Sequence, residues 1–470
     1  MKCSAGWTAI GLMVLTLLPS QVIAQATGAL QLEEVLRSVD QHFPKIRAAF
    51  EKTEAARAKQ LQSEGAFDLN LHGKAQHLVR GKFPSSSIDT WVEQPTTLWG
   101  LKVEGGYRNA SGFPIYNGQN VTSTNGEVRI GISIPLLRDR AIDDNRFELK
   151  NAKLGVERTS QEQRWVRLQS RLKAASVYLK WVALGQKRVV AERLLQIASV
   201  RQAGIERQIE SGQIAPIERV DNQRLIISRE ERLVEATQQF EQAGLELGLF
   251  WRSENGRPNL PTGGSLPNWP PASIVDGDLS YDLDRAIEIR PDVLALRYAA
   301  EQLQARVEVS ENRLKPTMDL RVMASQDSGD PRPYAFFAES VNETEVGAGL
   351  TFKLPVQRRK ARGEVDQSLA ELASISAELE LATDVVRMEM QQAKLVVKAT
   401  HQRTDLGRQA TAAAIQMEKA ERQRFDEGQS TLLLVNLREL ATAETESRFI
   451  ESWADHELAR VALQAAAGVL

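Results

Sequence analysis

The chain is poor in the features that usually carry chemistry. Its 470 residues hold one cysteine, Cys3, so no disulfide can form within the chain. Aromatic residues make up 6%. The 59 basic and 61 acidic residues leave a net charge of −2. That balance gives no basic excess for nucleic acid and no acidic run of the kind found in disordered tails. The five histidines, His42, His72, His77, His401 and His456, are scattered. His72 and His77 are five apart on a strand-like stretch, so they face opposite sides and cannot share a metal. No Gly-rich phosphate loop and no cluster of nucleophile, acid and base occurs, so no enzymatic activity and no cofactor are expected, and any energy must come from a partner. Beyond the first residues no apolar run is long enough for a helical membrane span, so only strands could cross a bilayer.

The first residues differ from the rest. Lys2, the apolar run Ala9 to Leu18 and Val22-Ile23-Ala24 before Gln25 read as a signal peptide over 1–24. Cys3 precedes the apolar run, so neither lipidation nor a disulfide is expected in the exported chain. An exported protein without thiols needs another staple, and oligomerisation is the simplest.

An internal repeat organises what remains. Phe425 to Asn436 reads FDEGQSTLLLVN, and Ile209 to Val220 reads IESGQIAPIERV, with Gly212 falling on Gly428 and Gln213 on Gln429. Helix-like text flanks both copies, so each Gly-Gln predicts a hairpin tip. The first repeat spans 25–251 and the second 281–470. Between them 252–280 reads as a connector rich in Pro and Gly. Arg290-Pro291-Asp292-Val293-Leu294-Ala295 matches Phe43-Pro44-Lys45-Ile46-Arg47-Ala48 in type and place.

Each repeat has the same plan. A helix runs from Leu32 to about Glu64, interrupted at Pro44. Alternation then takes over within 67–137: Leu69 to Gln76, Trp99 to Arg108 and Glu127 to Ile134 each set apolar against polar residues, as half-buried strands do. Pro135 ends the last, and a proline-free stretch from Ala141 to Ser211 predicts a helix of roughly 105 Å. Trp165, Leu168, Leu172, Ala175, Leu179 and Val182 give it the three-four spacing of a coiled-coil seam. In the second repeat the strands lie within 317–355 and end at Pro355. The long helix that follows carries a seam through Leu369, Leu379, Val386, Met390 and Val397.

Neither repeat can close a core of its own, which describes a piece of something larger. Strands of about ten residues with one apolar and one charged face suit an outer-membrane barrel, and a mean hydropathy of −0.33 is no obstacle because such a barrel is polar inside. Two-faced strands also cover soluble cores, so an exported coiled-coil protein with a small β-sandwich stays open on pattern alone.

The doubled plan, RPDVLAL before a strand, the strand exits at Pro135 and Pro355, and FDEGQSTLLLVN followed by RELATAETESRFIES resemble the TolC family of outer membrane efflux proteins. The resemblance covers about Leu32 to Leu470. It implies an α+β membrane protein: a homotrimer whose strands form one outer-membrane β-barrel, continuous with a long periplasmic α-helical barrel. The implied function is the passive exit duct of a tripartite efflux pump or type I secretion system in a Gram-negative bacterium. Its partners would be a periplasmic membrane-fusion adaptor, an inner-membrane pump and outer-membrane lipid. The alternative is a soluble periplasmic coiled-coil adaptor or scaffold, although adaptors carry one hairpin rather than two.

One departure concerns 83–124. Family members give two strands per half, whereas the first half shows three and an out-and-back path needs an even number. Either Ile88 to Glu93 is a fourth strand or the Trp99 strand belongs to an extracellular hairpin, and the hairpin is the expectation here.

The resemblance also locates the narrowest point, at the two tips. There Gly212, Gln213, Gly428, Gln429 and Ser430 are the expected adaptor-docking residues. The family's acidic sites six and nine after the second tip glycine fall on Leu434 and Leu437, and its latch residues on Phe425 and Ser430, so the usual hydrogen-bonded latch is not encoded. Glu218, six after the first tip glycine, does match an acid, and Asp221 follows on the same helical face. The constriction candidates are therefore Glu218, Asp221, Leu434 and Leu437. A plainer reading makes Glu218 a helix N-terminal charge, Asp221 a partner of Arg224 and the leucines ordinary seam residues.

Overall fold

A computed structural model describes residues 28–80, 84–112, 121–269, 281–330, 332 and 344–470. The expected signal peptide, Pro270 and Pro271 of the connector, and the tips of the loops after Ser111 and Asp330 lie outside the described residues.

Both repeats open on a helix broken at the residue before proline. α1 spans Leu32–His42 and α2 Pro44–Glu64; in the second repeat α5 spans Leu283–Ile289 and α6 Pro291–Arg313. Phe43 and Arg290 take extended backbone, and each proline occupies the first helical turn, where its missing N–H costs nothing.

Six strands follow the helices in two groups. β1 (Asn70–His77), β2 (Ser86–Pro95), β3 (Lys102–Ser111) and β4 (Glu127–Pro135) come from the first repeat, and β5 (Thr317–Asp327) and β6 (Thr344–Lys353) from the second. They form one antiparallel sheet in the order of the chain. The expected extracellular hairpin is thereby overturned. Ile88 to Glu93 lies in a fourth strand, and Trp99 sits not in a strand but in the β2–β3 turn, at φ 52°. The even strand number is met inside the sheet. Alternation at Trp99 and Leu101 misled because a short turn continued the apolar-polar beat of the strand after it.

The long helices leave the sheet together. α3 spans Asp144–Glu210, 67 residues and about 100 Å, and α4 (Ile217–Gly248) returns along it. α7 (Arg359–Asp426, 68 residues) and α8 (Leu432–Ala466) repeat the hairpin. Side by side the order is α4, α3, α8, α7 toward the tips and α2, α3, α6, α7 toward the sheet, so α3 and α7 run the full length. The main core lies midway, where α1, α3 and α4 meet. Trp181, Val182, Val35, Val39 and Leu247 are fully buried there, and the Tyr178 hydroxyl donates to the Leu30 carbonyl at 2.8 Å.

Candidate functional site

The two tips close with the same backbone device. Gly212 has φ +73° and Gly428 φ +74°; in this left-handed region a side chain is strained. The amide of Gly212 donates to Ile209 and that of Gln213 to Gln208, just as Gly428 donates to Phe425 and Gln429 to Arg424. Each tip is thus a Schellman motif whose glycine satisfies carbonyls the helix end would leave free. After the second tip the Thr431 hydroxyl caps α8 through the Leu434 amide, and Ser430 donates to the buried carboxylate of Glu421.

The predicted constriction residues separate into distinct environments. Asp221 accepts from Arg224 at 3.2 Å, and Glu218 stands in the first turn of α4. Leu434 and Leu437 are 42% and 52% exposed, whereas the packed face of α8 consists of Leu432, Val435, Glu439 and Thr442. Both leucines therefore point away from the seam inside the protomer.

Sequence reasoning missed the polar hub of this region. Glu439 of α8 is fully buried and is held by three guanidinium groups from three other helices. Arg201 of α3 donates to Oε1, Arg229 of α4 donates to Oε2 at 2.7 Å, and Arg422 of α7 reaches Oε1 at 3.1 Å. Arg229 also donates to the Leu194 carbonyl at 2.7 Å, and Arg201 to Asn436 at 2.6 Å. Burial, together with repulsion from Arg229 and Arg422, lowers the pKa of Arg201 despite its carboxylate partner. One buried carboxylate thus ties the first helical hairpin to the second. The available signal was an acidic residue at a seam position, because Leu432, Val435, Glu439 and Thr442 keep the three-four spacing. His401 and His456, far apart in sequence, also meet, with ring centroids 5.3 Å apart on α7 and α8. Among the described residues no group of three or more metal-binding side chains gathers.

At the other end the sheet separates its residues by face. In register, Leu71, Ile88, Val92, Val103, Tyr107, Val128, Ile130, Ile132, Leu320, Val322, Val346, Leu350 and Phe352 share one face. Ile130, Val346, Leu350 and Phe352 are each about 60–70% exposed. Every Asp, Glu, Lys and Arg of the six strands lies on the opposite face. There Asp89 accepts from Arg108 at 2.9 Å and from Arg129, and Glu104 accepts from Arg321 at 2.6 Å. Trp91 stacks on His72 at 4.8 Å and lies beneath the Arg129 guanidinium at 6.0 Å. An apolar face open to the surroundings and a charged face knit by ion pairs are what a barrel wall between lipid and water requires. No helix among the described residues is long and apolar enough to cross a membrane.

No protein-family model matches the sequence, and no curated protein matches it. Solved structures do match. The CmeC outer membrane channel of Campylobacter jejuni is 13% identical, with a TM-score of 0.64 over 93% of this chain and 85% of that one. The open state of the MtrE outer membrane channel of Neisseria gonorrhoeae is 15% identical, with a TM-score of 0.65 over 93% and 89%. The outer membrane protein VceC of Vibrio cholerae is 14% identical, with a TM-score of 0.63 over 93% and 96%. These matches run over nearly the whole chain, and the chain has the fold of the TolC-like outer-membrane channels.

Proposed function

We propose that the protein is the outer-membrane exit duct of an efflux or secretion machine: a homotrimer that conducts cargo passively from the periplasm to the exterior. The observation that carries this reading is the sheet, with its apolar exposed face and its charges confined to the other. A soluble adaptor or scaffold has no use for such a face.

Ring closure is supported by the two outermost helices of the tip half. α7 exposes Leu381, Met388, Leu395, Leu406, Ala410, Ala413 and Met417, a seam at heptad and three-four spacing with no partner in the protomer. α4, at the opposite edge, exposes Val220, Ile227, Val234 and Leu245. Counted from the tips at 1.5 Å per residue, the two stripes overlap in depth, so α4 of one copy packs against α7 of the next. The sheet offers its free edges, β1 and β6, at the same two borders.

In this ring the tips form the periplasmic entrance. Gly212, Gln213, Gly428, Gln429 and Ser430 present backbone and small polar groups where an adaptor hairpin can dock, and an inner-membrane pump supplies the energy. Glu218 and Asp221 give the mouth acidic charge, and Leu434 and Leu437, off the packed seam, form an apolar collar beside it. Glu439 and its three arginines hold the two hairpins of each protomer together behind that collar.

The test is a heat-sensitive trimer band in the outer-membrane fraction, together with ion conductance in planar bilayers. A mature chain recovered as soluble periplasmic monomer, without detergent, would overturn the reading. Conductance of the Glu218→Ala, Asp221→Ala trimer tests the mouth separately: unchanged cation selectivity and unchanged block by divalent ions would remove its acidic half.

A further inference from the structure

The resemblance implies two strands per half, and β5 with β6 supplies them for the second. The first half supplies four. We propose that the β2–β3 hairpin is an insertion in the barrel wall itself, so that three copies close an eighteen-stranded barrel in which β1 of each copy hydrogen-bonds to β6 of the next. The inference rests on the trimeric duct reading and specifies its wall.

β2 and β3 are wall strands by three observations. They pair over their full length, β2 with β1 from Ser86 to Glu93 and with β3 from Ser86 to Pro95. They carry the same division of faces as the others. Ile88, Val92, Val103 and Tyr107 lie on the apolar side, and Asp89, Trp91, Glu93, Glu104 and Arg108 on the charged side. A hairpin standing above the membrane would have no reason to keep a lipid-type face. The polar face also ties the inserted strands to the others across an intervening strand: Arg129 of β4 reaches Asp89 of β2 over β3, and Arg321 of β5 reaches Glu104 of β3 over β4. Trp91 reaches toward Arg129 across Gly106, where a Cβ would stand 2.6 Å from the Trp91 Cβ.

The turn at the helix end of the hairpin is fixed as well. Gln94 donates to the Phe67 carbonyl at 2.7 Å, where α2 meets β1. A Cβ on Gly100, at φ +69°, would stand 2.9 Å from both the Asp139 carbonyl and the Pro135 ring, where β4 meets α3. The hairpin is thus seated on both joints between sheet and helices and has no freedom to swing out of the wall.

The partner at the sheet edges is a second copy. A meander of six strands leaves β1 and β6 antiparallel, so the last strand of one copy meets the first of the next in a regular ladder. Neither edge strand carries a proline, the charges of both lie on the polar face rather than along the pairing edge, and all ten residues of β6 are exposed. Eighteen strands fall in the range of porins, whose barrels enclose an aqueous channel.

The experiment places one cysteine at Ala75 and a second at Val346, Ala348 or Leu350, residues of one face on β1 and β6, in the full-length chain. The purified trimer is then imaged by electron cryomicroscopy. The expected result is a disulfide ladder to dimer and trimer for one of the three pairs, and eighteen strands in the barrel cross-section. A trimer with twelve wall strands and β2–β3 outside the wall, or an intact trimer in which none of the three pairs cross-links, overturns the inference while leaving the duct reading intact. A chain that never forms a membrane trimer overturns the duct reading itself, and the inference with it. Excision of residues 84–112, which joins β1 to β4 with its direction preserved, is expected to narrow the same ring to twelve strands; an unchanged diameter counts against the inference.

Discussion

Glu439 and Arg229 stand 210 residues apart in sequence and 2.7 Å apart in space, both buried, one in each helical hairpin. A buried carboxylate shared by three guanidinium groups is costly to disturb from either side. Removing one partner of a buried pair leaves an uncompensated charge, worth about 3–5 kcal/mol. Glu439→Ala is therefore expected to destabilise the tip half by about that amount. Arg422→Ala should cost under about 1 kcal/mol, because Arg422 is 38% exposed and screened. Denaturant unfolding followed by hydrogen exchange in α4 and α8 measures both; equal losses for the two variants would show that Glu439 is not the centre of the cluster.

The two tip glycines should respond alike. Nothing lies within 4 Å of a Cβ built on either Gly212 or Gly428, so a substitution there is penalised by backbone conformation alone. Alanine is expected to cost about 1–2 kcal/mol at each tip, and asparagine less. Local opening of the tips by hydrogen exchange reports it, and a cost at one glycine only would contradict the equivalence of the two motifs.

Gly106 should behave differently, because its neighbours are close. Its Cβ would meet the Thr90 carbonyl and the Trp91 Cβ at 2.6 Å, and the Thr90 oxygen belongs to the sheet backbone. Gly106→Ala is expected to destabilise the sheet by about 1–3 kcal/mol and to lower the temperature at which the trimer dissociates. A trimer as heat-resistant as the parent would mean that β2 and β3 do not lie at the spacing described.

Acid should loosen α7 against α8. His456 touches Thr400 through Nδ1 and faces His401, Arg460 and Asp405, with Lys394 and Lys398 on the same surface. Burial first, then Arg460 and His401, lowers its pKa below the ordinary 6.5. A lowered histidine pKa stabilises the fold above its unfolded value, and that contribution is lost as pH falls through the folded value. Thermal stability of this region should therefore drop below about pH 6.5, and His456→Gln should flatten the profile. An identical pH dependence in the variant would sink the assignment.

Most of the architecture was legible in the sequence because periodicity depends on neighbours three, four or two residues away. The prolines at 44 and 291, the strand exits at 135 and 355 and the glycines at 212 and 428 mark real boundaries. Turn geometry was less legible: Trp99, Leu101 and Val103 keep an alternating beat although Trp99 and Gly100 have positive φ, and the fourth strand was lost behind them. The Glu439 cluster was not legible as a cluster. Its four members come from four helices, and only their packing brings Arg201, Arg229 and Arg422 to one carboxylate.

The long helices of the two repeats are unequal in what they bury. α3 encloses Leu179, Trp181, Val182 and Ile205 within the protomer, while α7 buries just six of its 68 residues, among them Val386 and Met390. The first hairpin packs α3 into the main core, whereas α7 contributes Val386 and Met390 to a smaller cluster with α5, α6 and α8 and leaves most of its length exposed. In the trimeric duct proposed above, a lone subunit leaves its α7 stripe bare until α4 of a neighbour covers it.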